Sequence, residues 1–322
     1  MHLHKITSGI LLLFLVVISG RISAQDSDLI RTKKNFIQLL GNTGQEQLNA
    51  VLEKLPREES ASDQMVVELF QRQSSQAASI QKYISEQTEN GTWPDINYQD
   101  QKRSGWEPRV HTERILELTK QYTSPESPYY HSDKVEACIH KALHYWFTAK
   151  PVCPNWWYNQ IGVPKTLGNA FLLFEPQLTA EERQSAIQVM ENARFGMTGQ
   201  NKVWLAGNVL VRALLQEDKE LVRQARDTIV SEIVTGQTEG IQPDWSFHQH
   251  GTQQQFGNYG LAFLASMSFY SGVFAGTSMA FSDEQLEILR QLIDKGYRWI
   301  LWKGQMDISA LGRQFFREGQ TH

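Results

Sequence analysis

The chain has 322 residues, a hydrophobic fraction of 41% and a formal net charge of −4, so it is long enough to bury one large core or two ordinary ones. The nearly balanced charge excludes the broadly basic surface that is typical of nucleic-acid-binding proteins, and we expect no nucleic-acid partner. A polyanionic ligand would therefore need a local basic and polar cleft. The two cysteines, Cys138 and Cys153, could form a disulfide or remain buried thiols, and the sequence leaves both options open.

The N-terminus has the pattern of a signal peptide. His4 and Lys5 precede an apolar run over residues 10–18, and Ala24 lies where a signal peptidase would cut. The run is too short to cross a bilayer, although a membrane anchor or a buried helix is the alternative interpretation. We expect a signal peptide over residues 1–24 and a mature chain exported to the periplasm or outside the cell, without membrane attachment after cleavage.

Apolar residues then recur at helical spacing along most of the chain. The pattern predicts helices over residues 30–40, 48–55, 65–84, 112–122, 132–149, 162–174, 179–193, 202–216, 219–234, 253–273 and 282–302. The alternation of strands is scarce, so the predicted class is all-α. Long loops rich in glycine and aromatic residues favour helical hairpins around a common centre over an up-and-down bundle. We predict one domain over residues 25–322, with a small N-terminal helical layer that ends near residue 87.

An aromatic segment follows the fifth predicted helix, where Asn155 precedes Trp156 and Trp157. Neighbouring side chains on a helix point about 100° apart, so the two indoles cannot both face one core stripe. An exposed indole provides the flat apolar face on which a sugar ring packs. The alternative is structural, with one tryptophan in the core and the other at its boundary.

Three further segments are rich in polar groups that could contact a ligand. Asn201 lies at the start of a predicted helix, where it could cap the helix or donate its amide to a substrate carboxylate. The segment over residues 242–260 contains His250, Tyr259 and many amides. Near the C-terminus, Arg313 and Arg317 would share one face if that segment is helical.

Together these motifs resemble the hyaluronate, chondroitin AC and xanthan lyase family, and within it the chondroitin AC lyases. The matching pieces are residues 155–157, 161–165, 198–201, 244–251, 256–260 and 312–317. The resemblance implies an incomplete α/α toroid whose long cleft holds a polyanionic glycosaminoglycan. We expect a monomeric protein, and no metal or other cofactor is needed for the chemistry below. The resemblance places His250, Tyr259, Arg313 and Asn201 in catalytic positions, and Trp156, Trp157, Asn155 and Arg317 in contact with substrate.

The chemistry that the family performs is a β-elimination at a uronic acid. Asn201 and a protonated His250 can donate hydrogen bonds to the substrate carboxylate and stabilise the charge that builds up there. A tyrosine has an unperturbed pKa near 10, and the Arg313 guanidinium would favour the Tyr259 phenolate as the base. The alternative assigns the base to His250 and the acid to Tyr259. The resemblance favours chondroitin sulfates A and C and hyaluronan over dermatan, because iduronate presents its C5 proton on the other face.

Three other functions remain open at the level of sequence. A glycoside hydrolase on a similar toroid would use paired carboxylates, and the candidates are Asp95, Asp244 and Asp307. Family members continue into β-sandwich domains beyond the position where this sequence ends, and carry there a glutamate that helps to organise the tyrosine and the arginine. A non-catalytic glycan-binding protein is therefore the second alternative. The third is a zinc site at His140 and His144, although the intervening glutamate of metalloproteases is missing.

Overall fold

A computed structural model describes residues 24–41, 79–302 and 305–312. Most of the predicted signal peptide, the helix predicted over 48–55, most of the helix predicted over 65–84, and both Arg313 and Arg317 lie outside the described residues. The described helices are α1 Ala24–Gly41, α2 79–86, α3 Arg109–Thr123, α4 Asp133–Ala149, α5 Val163–Phe174, α6 Ala180–Met190, α7 Gly199–Gln216, α8 Lys219–Val230, α9 Leu261–Val273 and α10 Asp283–Gln291. The structure also contains two short antiparallel ribbons, each made of two strands of two residues. In one, β1 Gly240–Ile241 pairs with β2 Phe247–His248, and in the other, β3 Leu301–Trp302 pairs with β4 Gln305–Met306.

The helices pack in two layers, and successive helices along the chain alternate between the two layers. Helices α3, α5, α7 and α9 follow one another in contact, while α4 packs on α6. Within the hairpins, α3 packs on α4, α5 on α6, and α7 on α8. This alternation confirms the predicted all-α class and agrees with helical hairpins arranged in a toroid.

Helix α7 lies at the centre of the core, with fourteen of its residues buried, and α1 covers a neighbouring part of it. Phe36 of α1 packs edge-on against Phe269 of α9 with ring centroids 5.0 Å apart. The side-chain amide of Asn35 donates to the carbonyl oxygens of Val273 and Ala275, each at 3.0 Å. The domain boundaries predicted from sequence are not tested by these contacts and stay predictions.

Several predicted helix starts are confirmed by their capping groups. Thr179 and Glu182 form a reciprocal capping box at the start of α6, and Ser282 and Gln285 form another at the start of α10. Asn201 is not a cap, because α7 begins at Gly199 and Asn201 lies inside its first turn.

The helix predicted over residues 282–302 is wrong beyond Gln291. Helix α10 ends at Gln291. A π-helical turn over Leu292–Gly296 follows it, and then a 3₁₀ turn over Tyr297–Trp299. Gly296 lies so close to another segment that an added Cβ would stand 2.5 Å from the carbonyl oxygen of Trp245. Apolar spacing continued through this region, but it could not reveal that close approach.

The two cysteines are both free and buried, which resolves the pairing that the sequence left open. Burial raises the pKa of the Cys138 thiol to about 12. Among the described residues, no helix combines the length and the apolarity needed to cross a membrane.

Candidate active site

The aromatic segment forms a small platform that is partly open to solvent. Trp156 is 39% exposed, and Trp157 is half-buried. The side-chain oxygen of Asn155 accepts the backbone N–H of Trp157 at 3.1 Å, and its amide nitrogen donates to the carbonyl oxygen of Arg103 at 2.9 Å. The Asn155 amide thus holds the loop that carries the indoles, and its predicted sugar contact stays a prediction.

A π-helical turn over Tyr158–Gly162 follows the platform and places the ring of Trp157 against its last residue. An added Cβ at Gly162 would stand 2.8 Å from that ring, so the position admits no larger side chain without moving the indole. Single π-helical turns are rare and occur often at functional sites.

The structure brings His250 and Tyr259 together. The Nε2 atom of His250 lies 3.0 Å from the phenolic oxygen of Tyr259, and the rings meet edge-on with centroids 4.9 Å apart. Tyr259 is 6% exposed and lies in a second π-helical turn, Phe256–Gly260, which leads into α9. His250 has left-handed backbone geometry with φ 58°, which costs free energy for a residue other than glycine.

Trp204 links this pair to the platform, and the sequence interpretation missed it. Its ring lies 5.8 Å from the ring of Trp157 and 5.8 Å from the ring of Tyr259, both between centroids. Trp204 comes three residues after Asn201, so both lie on one face of α7. That spacing was the available signal in the sequence.

Asn201 lies in the first turn of α7 and is 8% exposed. Its side-chain oxygen has no hydrogen-bond partner within the described part of the chain. One residue earlier, the backbone N–H of Gln200 donates to the side-chain oxygen of Gln249 at 2.9 Å. That bond joins the segment carrying Asn201 to the segment carrying His250. A buried amide oxygen without a partner is uncommon in folded proteins, and a ligand group would satisfy it.

A cleft of about 570 Å³ opens beside Trp157 and contains a lysine. The ammonium of Lys165 lies 5.6 Å from the centroid of the Trp204 ring and forms no ion pair with any residue that the structure describes. Lys165 is exposed, yet desolvation by the surrounding atoms lowers the pKa of its ammonium. Both observations fit a cation on the wall of a concave cleft, where solvent reaches the group but protein atoms surround it.

The arginine motif begins next to Tyr259. Gly312, the last described residue before Arg313, has φ 63°, and an added Cβ there would stand 2.4 Å from the side-chain oxygen of Gln255. An added Cβ at Gly257 would likewise stand 2.8 Å from the Cα of Leu311. The segment that leads into Arg313 therefore packs directly on the turn that carries Tyr259. The positions of Arg313 and Arg317 themselves stay predictions.

The carboxylates proposed for a hydrolase are each held by a local partner. The guanidinium of Arg114 binds Asp95 through two bonds of 2.9 and 2.5 Å and lowers the pKa of its carboxyl. Hydrogen bonds from nearby serines, Ser246 and Ser309, lower the pKa values of Asp244 and Asp307. A glycosidase acid needs a raised pKa, so none of the three carboxyls has the required environment.

The histidines considered for zinc do not form a metal site within the described ranges. His144 is exposed. His140, by contrast, is half-buried, and its Nδ1 lies 2.7 Å from a carboxylate oxygen of Glu182.

Comparison with known proteins identifies the family to which the chain is similar. Residues 55–322 match the model of polysaccharide lyase family 8, N terminal alpha-helical domain. The chain is 30% identical to chondroitinase-AC of Pedobacter heparinus over 229 residues, 70% of this chain and 33% of the relative. It is 26% identical to a hyaluronate lyase of Thermasporomyces composti over 243 residues, 72% of this chain and 31% of the relative. The chain thus spans about a third of the length of these curated relatives.

Solved structures agree in fold. A chondroitinase AC lyase whose structure was determined with oligosaccharides superposes with a TM-score of 0.76 at 24% identity, covering 90% of this chain and 40% of that one. The chondroitin AC lyase of Streptomyces coelicolor A3 in complex with chondroitin sulphate gives a TM-score of 0.71 at 18% identity, covering 88% and 38%. At these identities the likeness shows the fold alone. The match to the N-terminal helical domain of the family extends over most of the chain, residues 55–322, and we conclude that the protein belongs to polysaccharide lyase family 8.

Proposed function

We propose that the site cleaves polysaccharides containing glucuronic acid, such as chondroitin sulfates A and C and hyaluronan, by β-elimination. The observation that carries the proposal is the 3.0 Å contact between His250 Nε2 and the Tyr259 hydroxyl, next to an aromatic platform and a cationic cleft. The names of the relatives, chondroitinase-AC and hyaluronate lyase, support this substrate class.

In the reaction, the base takes the proton from C5 of the uronic acid, the bond between C4 and its glycosidic oxygen breaks, and a C4–C5 double bond forms. The released oxygen takes a proton, so the products are a new chain end with a hydroxyl and an unsaturated uronic residue. Negative charge builds up on the substrate carboxylate before the C–O bond breaks. Hydrogen-bond donors at that carboxylate lower the barrier most when they are already in place.

We assign Tyr259 as the base and then the acid. As a phenolate it would take the C5 proton and return it to the leaving oxygen on the same face, which suits a syn elimination. Arg313 would favour the phenolate through its positive charge, and the packing of the segment before it on Gly257 supports that placement. Asn201 and protonated His250 would bind the carboxylate. Assigning the base to His250 and the acid to Tyr259 remains the competing arrangement.

Substrate binding would use the aromatic platform and the cationic cleft beside it. Trp156 and Trp157 present indole surface for the apolar face of sugar rings, with Asn155 and Arg317 as additional contacts. Lys165 would attract the sulfate or carboxylate groups of the polymer. We further propose that the protein is exported, which rests on the signal pattern over residues 1–24, and that it acts as a monomer.

The test is an elimination assay on chondroitin sulfates A and C and on hyaluronan, following the ultraviolet absorbance of the unsaturated product. We expect a rise with the wild-type chain and none with Tyr259→Phe. The control is Tyr130→Phe, at an exposed tyrosine outside the site, which should match wild type. New reducing ends without absorbance would overturn the lyase assignment in favour of hydrolysis. Retention of the polymer without any cleavage would indicate a glycan-binding protein.

A further inference from the structure

A half-buried carboxylate lies between the two segments that carry His250 and Asn201. One oxygen of Glu239 accepts the backbone N–H of Gly251 at 2.9 Å. The other accepts the hydroxyl of Thr198 at 2.6 Å and also the side-chain amide of Gln249. A single side chain therefore binds both neighbours of His250 and the residue that precedes α7.

Gln249 extends this connection into the first turn of α7. Its side-chain oxygen accepts the backbone N–H of Gln200 at 2.9 Å, and its side chain is fully buried. An added Cβ at Gly199 would stand 2.4 Å from that oxygen, so the glycine provides the space for this approach. The backbone N–H of Gly199 in turn donates to Glu232 at 2.8 Å.

The backbone at His250 needs such support. His250 has φ 58° and Gly251 has φ 79°, two successive residues in the left-handed region. A histidine in this region is strained, and the surrounding contacts must over-determine the conformation for it to persist. The Gly251 N–H bond to Glu239 acts one residue after the strained position, and the Gln249 side-chain bond acts one residue before it.

We infer that Glu239 is a positioning residue for the reaction: it holds His250 in its strained backbone conformation and fixes that loop relative to Asn201. The inference rests on the proposed function for its catalytic consequence. Glu239 binds Gln249 and Gly251 on either side of His250 and Thr198 before α7, so it acts through the loop. Three groups donate hydrogen bonds to the two carboxylate oxygens of Glu239. Both oxygens must therefore be acceptors, which requires the ionised carboxylate.

The test is Glu239→Gln, which keeps the shape but replaces one acceptor oxygen by an NH₂ group facing a donor. We expect kcat for unsaturated product to fall by about tenfold to a hundredfold, since misplacement by about 1 Å can have that effect. KM should change much less, because the platform and the cleft are untouched. The matched control is Glu175→Gln, which removes a carboxylate bound by Lys33 and Arg183 at the end of α5 opposite to Lys165 and should leave kcat unchanged.

A second measurement does not depend on turnover. With ¹⁵N-labelled histidine, the ring resonances of His250, assigned through His250→Gln, should shift and broaden in Glu239→Gln while remaining unaltered in Glu175→Gln. Unchanged His250 resonances together with wild-type kcat would overturn the inference. If the wild-type chain yields no unsaturated product, the proposed function has failed, and the resonances alone decide whether Glu239 holds His250 in place.

Discussion

Lys165 shows how a single cationic side chain can bind a polyanionic ligand on a protein that is slightly acidic overall. Its ammonium lies on the wall of the cleft beside Trp204 without a described acidic partner. Arg109, which lines the same cleft, is already paired with Glu113. A sulfate or carboxylate entering the cleft would therefore meet Lys165 as its uncompensated cation.

Replacing Lys165 by methionine should weaken binding of the polymer without changing the chemical step. We expect KM for chondroitin sulfate to rise roughly fivefold, the equivalent of about 1 kcal/mol for one ion pair, with kcat unchanged. The salt dependence of KM should also become shallower, because one screened attraction is lost. Steady-state kinetics at two ionic strengths measure both effects.

The control for this change is Lys219→Met, since Lys219 is paired with Asp26 near the end of α7 opposite to Asn201 and should leave KM at the wild-type value. An equal rise in KM for both variants would show that net charge, rather than the position of Lys165, determines binding.

At the scale of elements, the helices could be predicted and the turns between them could not. Apolar spacing located helix starts such as that of α6 well, because the signal is local. The π-helical turns that place Trp157 and Tyr259 depend on close approaches to distant segments. The role of Glu239 could not be predicted for the same reason, since the groups that donate hydrogen bonds to its carboxylate belong to residues 10 to 41 positions away.

Helix α3 carries an acid-sensitive contact that follows from the burial of one histidine. His111 is completely buried, its Nδ1 accepts the Tyr98 hydroxyl at 2.9 Å, and its Nε2–H donates to the carbonyl oxygen of Ala142 at 3.0 Å. Burial lowers the pKa of His111 to about 4, from 6.5. The unfolded chain therefore binds a proton between these pH values that the folded chain does not.

The stability that depends on neutral His111 is fully present above about pH 6.5 and is lost as the pH falls towards 4. Its full size is on the order of 3 kcal/mol. We expect the free energy of unfolding in urea to fall between about pH 7 and about pH 5. His111→Gln, which keeps a donor and an acceptor without titrating, should flatten that dependence. An identical slope in the variant would assign the acid sensitivity to other groups.

At the scale of the whole molecule, α1 joins parts of the chain that are far apart in sequence. It packs on α5, α8 and α9. An ion pair connects Lys33 to Glu175 at 2.6 Å, and a hydrogen bond runs from Arg31 to the carbonyl oxygen of Gly276 at 2.7 Å. Because the site is assembled from the ends of α7 and α9, the packing of α1 on α9 supports the layer that carries Tyr259.

Phe36 is the residue through which this docking can be tested. It is 2% exposed and packs on Phe269, so Phe36→Ala would leave a cavity between α1 and α9. We expect the free energy of unfolding to fall by about 3–5 kcal/mol, the usual cost of removing a buried phenylalanine ring. Urea denaturation measures this loss, and Ile30→Ala, at a residue of α1 that is 57% exposed, provides the matched control with little expected change. If α1 only covers the surface, the two variants should have the same stability. If α1 is part of the core, Phe36→Ala alone should shift the midpoint, and kcat measured well below that midpoint should stay near wild type because none of the catalytic positions is altered.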